Sequence, residues 1–430
     1  YAAEDADATL RLALQMEAEI RAQGLGDLYA EVELPLSRVL SRMEDVGIGL
    51  NLDVLTELSS ELAERLEVAQ ARAHEIAGSE FNLGSPKQVA KVLFEKLELP
   101  VLKKTKSGPS TDASVLEKLA ERGHELPKTL LMWRHDAKLR NTYAEVLPKA
   151  VGADGRLHTR YLQTRTATGR LASADPNLQN IPIRTAEGRR VRQAFCASSG
   201  KVLVSADYSQ VELRILAHMS EDQILIDAFN QGQDIHRRTA SELFGVPPLL
   251  VSPDQRRDAK AINFGIVYGM GAFRLASELG IDRTQAGDYL ATFHERYSGV
   301  RRFHETCVKQ AHAEGYALTL FGRRRPIPEI RSSSQRDVAQ GERIAINTPV
   351  QGTAADVLKM AMVALQNRLD VEYPTTHMLL TVHDELVLEV PEEDLSEVLA
   401  LTRRVMEGAV QLKVPLVVDV GHGQHWGEAH

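Results

Sequence analysis

The chain has 430 residues, more than one hydrophobic core usually serves, so two to four subdomains are expected. Hydrophobic residues make up 43% and charged ones 26%, the balance of a globular protein in water, and no apolar run approaches the length of a membrane span. Acidic residues outnumber basic ones by 59 to 51, which argues against a polyanionic partner unless one face reverses the sign, and Cys196 and Cys307 alone give no disulfide framework or cysteine-built zinc site, so a reducing cytoplasm fits.

Residues 8–30 and 52–77 carry Ala, Leu and Glu at helical spacing with few turn signals. The stretch SPKQVAKVLFEKLELP, 85–100, reads as a capped helix ended by Pro100. A mobile basic loop, KKTKSGPSTD, follows, and then a helix over 112–122 with Ser110 or Thr111 as its cap. VGADGRL at 151–157 is a turn and a candidate boundary. KVLVSA at 201–206 is β-rich, SQVELRILAHM at 209–219 has helical periodicity, and helical patterns dominate 222–370. MLLTVHDELVLEV, 378–390, reads as a strand, a two-residue break and a second strand; a helix near 392–410 and a strand at 414–421 complete the chain. Strands flanking a long helical insertion predict an α+β body whose sheet is assembled from distant segments.

The charge sign does reverse locally. Between Arg156 and Arg192 eight arginines stand against Asp175 and Glu187, a net of +6, and LKKTKSG (102–108) and GRRRP (322–326) are further basic knots. One such run reads as a solvated face; three in an acidic chain point to a path lined for phosphates.

Three constellations carry chemistry. Asp207 in SADYSQVELR sits where an apolar strand gives way to a helix, and Asp384 occupies a similar place at the hairpin bend, beside His383 and Glu385. Alone, each Asp reads equally well as a turn or cap residue. Together, carboxylates on neighbouring strand ends can share divalent cations, and hard oxygen donors suit magnesium. In RRDAKAINFGIVYGM, Arg256, Lys260, Phe264 and Tyr268 are spaced by four, a helical stripe of two cations followed by two aromatics. Such a face suits a ligand with phosphate at one end and a flat ring at the other. TRTATGRLASADPNLQNIPIR, 164–184, offers uncharged hydrogen-bonding groups interleaved with Arg170 and Arg184, a mixture suited to a nucleic-acid backbone and minor groove, or simply to an ordered polar loop.

With PVQGTAADVLKMAM (349–362) and VHDELV (382–387) added, these segments resemble, in order and spacing, the motifs of the A-family DNA polymerases, the bacterial DNA polymerase I family. The resemblance runs through essentially the whole chain. It implies an α+β right hand with an antiparallel palm sheet and helical fingers and thumb. The corresponding divisions are a remnant of a 3′–5′ exonuclease domain and linker at 1–30, the thumb and its connection at 31–150, palm at 151–221, fingers at 222–370 and palm again at 371–430. It implies a monomeric DNA-directed DNA polymerase of replication and repair in the bacterial cytoplasm, near the nucleoid and off the membrane. The enzyme would act on primer-template DNA and deoxynucleoside triphosphates with two Mg2+ ions. By motif position Asp207, Asp384 and the Tyr208 carbonyl would hold the metals, with Glu385 accessory and Lys260 catalytic. Arg256, Lys260, Phe264, Tyr268, His236 and Gln210 would bind the nucleotide, and Glu212 would exclude a ribose 2′-hydroxyl. Arg170, Asn177, Asn180, Arg184, Arg343, Gln351 and His383 would touch DNA. Ala172 departs from the Ser common in the family, which would remove one duplex hydrogen bond.

YAAEDAD at the start resembles the last exonuclease motif, with Tyr1 and Asp5 four apart, and is expected to be part of a fragment without working nuclease domains. Two rivals remain: a non-enzymatic DNA-binding protein on a decayed polymerase scaffold, against which Asp207, Asp384 and Lys260 speak, and an RNA-making or RNA-copying polymerase, against whose use of ribonucleotides Glu212 speaks.

Overall fold

A computed structural model of the chain describes residues 1–106, 108–182 and 185–429. The expected α+β class holds: long helices surround small sheets, and the chain divides into two compact units.

The first unit comprises residues 1–46, 159–179 and 204–421. Its centre is a four-stranded sheet ordered His377–Val382, Glu385–Pro391, Lys201–Tyr208, Val418–Gly423, the last two strands contributing from Val204 onward and up to Gly421 respectively. Segments far apart in sequence are therefore neighbours, as the flanking strand patterns predict. The strands are nearly continuous apolar runs because helices cover them: Leu34–Val46 packs on His377–Val382, and Leu395–Glu407 on Glu385–Pro391. The first two strands pair antiparallel, and Val382 opposite Glu385 leaves His383 and Asp384 alone in the turn. That turn is possible because His383 takes a left-handed conformation (φ 56°), unusual for a residue with a side chain.

The long helix Gln335–Glu372 runs past Pro349, which has no N–H to donate, and it packs against Val211–Ser220 and Leu395–Glu407. Helix Pro253–Val267 starts on a full capping box. Ser252 accepts from the Gln255 backbone while the Gln255 side chain accepts from the Ser252 backbone, and Pro253 opens the first turn. It packs along Ile235–Phe244, with Ala240, Val251 and Ala259 as the shared apolar core. The final strand begins at Val418 rather than at 414, because 414–417 forms no ladder.

The second unit comprises residues 47–158, 180–203 and 422–430. Helix Leu52–Ala77, capped by the Asn51 side chain and closed by left-handed Gly78, packs on Glu125–Leu139 around Ala73, Leu93, Leu116 and Leu130. A three-stranded antiparallel sheet joins Arg156–Leu157, Ile48–Leu50 and Phe195–Cys196. Two local expectations change here. The basic loop contains a short hairpin, Lys104–Thr105 with Gly108–Pro109, and the next helix starts from Asp112, not from Ser110 or Thr111. The Asp112 side chain ion-pairs with Lys103 across that hairpin instead of capping.

Candidate active site

The first unit holds a cleft of about 480 Å³. It is lined by Asp207 and Tyr208 from a strand end, by Gln210 and Glu212 from the following corner, and by His383 and Asp384 from the hairpin turn. Arg256, Lys260, Phe264 and Tyr268 complete it along one helix face, with His236 and Arg170. Two carboxylates some 180 positions apart in the chain thus open into one space. Adjacent strands bring them there: the Tyr208 N–H donates to the Asp384 carbonyl at 3.3 Å. Gln210 and His383 both sit in left-handed backbone (φ 53° and 56°), local strain of the kind concentrated at functional sites.

The carboxylates differ in surroundings. Burial pushes the Asp384 carboxyl above its ordinary value while the Arg170 cation, 4.0 Å away, opposes the shift. Glu385 is buried, accepts a 2.6 Å hydrogen bond from Ser205 Oγ, and is not among the cleft's lining residues. Glu212 is buried at the cleft floor, where it accepts from Tyr268 Oη and from an Arg170 nitrogen, both at 2.6 Å. Burial raises its pKa against those two partners.

Among the described residues no three His, Cys, Asp or Glu side chains gather as a metal cluster. Asp207 and Asp384 nevertheless line the same cleft with Tyr208, and their carboxylate oxygens are donors of the kind that fits a hard divalent cation.

The same cleft is also lined by cations. Arg256 is half-buried and donates through Nε to Asp234 Oδ2 at 2.6 Å; Lys260 is exposed. Asp234 also accepts from the His236 and Arg237 backbone N–H groups, so one carboxylate caps a helix and aims an arginine. Burial raises the Asp234 carboxyl, but the Arg256 and Arg237 hydrogen bonds outweigh it and hold the pKa below the usual range. Burial pushes His236 down to about 4, so it is neutral near pH 7. Thr239 Oγ1 donates to Asn263 Oδ1, which turns the Asn263 amide nitrogen toward His236 Nδ1 at 2.9 Å. The His236 proton therefore resides on Nε2.

The remaining candidates lie apart from this lining. Asn177 is exposed and its Oδ1 accepts from the Gln179 N–H and Ser173 Oγ. Arg343 is exposed and Gln351 half-buried, both on Gln335–Glu372. Asn180 belongs to the second unit, where its carbonyl accepts from Tyr143 Oη at 2.5 Å. Arg184 lies outside the described residues. Sequence reasoning missed Asp234, Asn263 and Ser205. Asp234 alone left a readable signal, an Asp directly before a helical pattern in QDIHRRTA.

The family model described as DNA polymerase family A matches residues 52–428. The chain belongs to this family. It is 50% identical over its whole length to DNA polymerase I of Pseudomonas aeruginosa and 48% identical to that of Rhizobium leguminosarum, covering 47% and 43% of those proteins. The chain thus spans about half the length of the curated relatives it matches. Among solved structures, the POL domain of Pol1 from M. smegmatis, in complex with DNA primer-template and dNTP, superposes with a TM-score of 0.95 at 43% identity. That match covers 99% of this chain and 75% of the other. The fold is accordingly the right-hand α+β fold of family A polymerase domains.

Proposed function

We propose that the chain catalyses template-directed addition of deoxynucleotides to a primer 3′ end with release of pyrophosphate. One observation carries this reading: Asp207 and Asp384 share a single cleft with the Arg256–Tyr268 stripe. Oxygen donors for cations thereby face a phosphate grip and two aromatic rings. The M. smegmatis neighbour, described with primer-template DNA and dNTP, supports the same substrates here.

Phosphoryl transfer asks chiefly for positioning and charge neutralisation. Arg256, held by Asp234, and Lys260 grip the triphosphate, and neutral His236 offers its Nε2 proton to a phosphate oxygen. Phe264 packs on the incoming base and Tyr268 occupies the templating position. Asp207, Asp384 and the Tyr208 carbonyl would hold two Mg2+ ions, which would supply Lewis acidity toward the primer hydroxyl and pyrophosphate. Glu385 steadies the hairpin through Ser205. Glu212 closes the space beside the sugar. Arg170, Asn177, Asn180, Arg184, Arg343, Gln351 and His383 contact the duplex. In this reading the thumb lies within 31–150, the palm in 151–221 and 371–430, and the fingers in 222–370, and the chain acts as a monomer. No helix of the described residues is long and apolar enough to cross a membrane.

Lys260, which lines the cleft, protonates the leaving pyrophosphate in this reading. Lys260→Ala is expected to lower kcat by roughly 10²-fold or more, the scale of general acid catalysis; a loss no larger than that of a neutral surface change would remove this role. The function itself is tested by primer extension with Mg2+ and four deoxynucleotides on templates of different sequence. Products that follow the template are expected, and untemplated or absent extension would refute the proposal.

A further inference from the structure

A second concentration of charge in the first unit is buried beneath the loop that ends in Arg170. Arg323 Nε donates to Asp356 Oδ1 at 2.7 Å, and its guanidinium also donates to Glu33. Lys359 Nζ donates to Glu33 Oε1 at 2.7 Å. Asp356 and Lys359 are 0% and 1% exposed, and the four formal charges cancel. An apolar set of equal volume commonly packs as stably as buried ion pairs, so stability alone is a weak reason for this quartet.

What rests on it is the loop 164–170. Gly169 is left-handed (φ 82°), and a Cβ there would stand 2.6 Å from Arg323 Nε, so the loop backbone lies directly on the guanidinium. On the helix side, a Cβ at Gly352 would stand 2.5 Å from Thr319 Cγ2 and 3.2 Å from the Thr168 carbonyl oxygen. Thr319 Oγ1 in turn donates to Asp356 Oδ2 at 2.7 Å. The loop is tied to itself where Thr166 Oγ1 donates to the Arg170 carbonyl at 2.6 Å. The next link is Arg170, which reaches Glu212 at 2.6 Å and stands 4.0 Å from Asp384.

We propose that the Glu33–Arg323–Asp356–Lys359 quartet is a positioning device for Arg170, and through Arg170 for the sugar-facing Glu212. This rests on the function proposed above. The hydrogen bonds of the Asp356 carboxylate run to Thr319 and Arg323, the two side chains that lie against the loop, so its effect on sugar choice passes through the loop to Arg170.

The test is Asp356→Asn, which keeps the side chain's size and removes its charge, compared with wild type, Arg170→Ala and the double variant. Two readouts are taken: native-state amide exchange over 164–172, and the preference for deoxy- over ribonucleotide in kcat/KM. Asp356→Asn is expected to speed loop exchange about tenfold and to lower the sugar preference about tenfold, while changing that preference by less than about twofold once Arg170 is Ala. Unchanged loop exchange overturns the positioning role. A loss of preference that multiplies independently in the Arg170→Ala background overturns the relay. A wild-type chain that extends no primer would refute the proposed function and the selectivity arm with it, while loop exchange would still decide the positioning.

Discussion

Glu212 illustrates how much one side chain is asked to do. It is buried, its pKa is raised by that burial, and Arg170 and Tyr268 each donate to it at 2.6 Å. In the proposed role beside the sugar, a side chain so held would not swing away to admit an extra hydroxyl. Glu212→Ala is expected to raise ribonucleotide kcat/KM by at least about tenfold while deoxynucleotide use falls far less. Unchanged sugar discrimination in single-nucleotide kinetics would contradict the assignment. The histidines make a separate, thermodynamic claim. Burial pushes both His236 and His304 down to about 4. The unfolded chain therefore binds protons from about pH 6.5 downward that the folded chain refuses until about pH 4. Stability is full above that window and falls as the pH drops through it, by at most about 3 kcal/mol per histidine. Urea unfolding between pH 7.5 and 4.5 checks this, and His304→Gln should flatten the slope; an unaltered slope would show that His304 titrates normally. Of these residue details the sequence displayed the types but not the partners. Nothing in QDIHRRTA says that Asp234 will hold Arg256, because that contact depends on two helices packing side by side.

Elements were legible where local chemistry and tertiary packing agree. The four-residue spacing of Arg256 to Tyr268 describes the observed helix Pro253–Val267, which starts on the Ser252–Gln255 capping box, although Tyr268 falls just past its end as the C-terminal cap. Ser252→Ala removes the box and is expected to cost about 1 kcal/mol in denaturant unfolding, with nucleotide KM rising as the phosphate grip loosens. No change in either would mean that packing on Ile235–Phe244 alone sets this helix. The hairpin turn was equally plain, since strongly apolar runs leave only His383 and Asp384 between them. Legibility failed where the signal was degenerate. Ser110, Thr111 and Asp112 are all good caps, and the ion pair with Lys103 is a contact across a turn that no spacing announces. VPLVV at 414–418 looks like strand, yet its ladder begins at Val418, because the sheet partner rather than propensity fixes where pairing starts.

At the scale of the whole molecule, the catalytic account depends on a sheet that joins segments nearly two hundred residues apart. The α+β class followed from strand patterns flanking helical ones, but the neighbourhood of Lys201–Tyr208 and Glu385–Pro391 is a property of topology, not of either segment. The same holds for the buried quartet, whose members Glu33, Arg323 and Asp356 lie in three stretches that carry no shared motif. The most direct measurement is primer extension in the presence of Mg2+ by the intact chain and by Asp384→Ala, with circular dichroism confirming that the variant is folded. The account predicts template-directed extension by the first and a loss of at least about 10³-fold in rate by the second, since one of the two carboxylates proposed to hold the metals is gone. A folded Asp384→Ala chain that extends primers at a rate near wild type would contradict it.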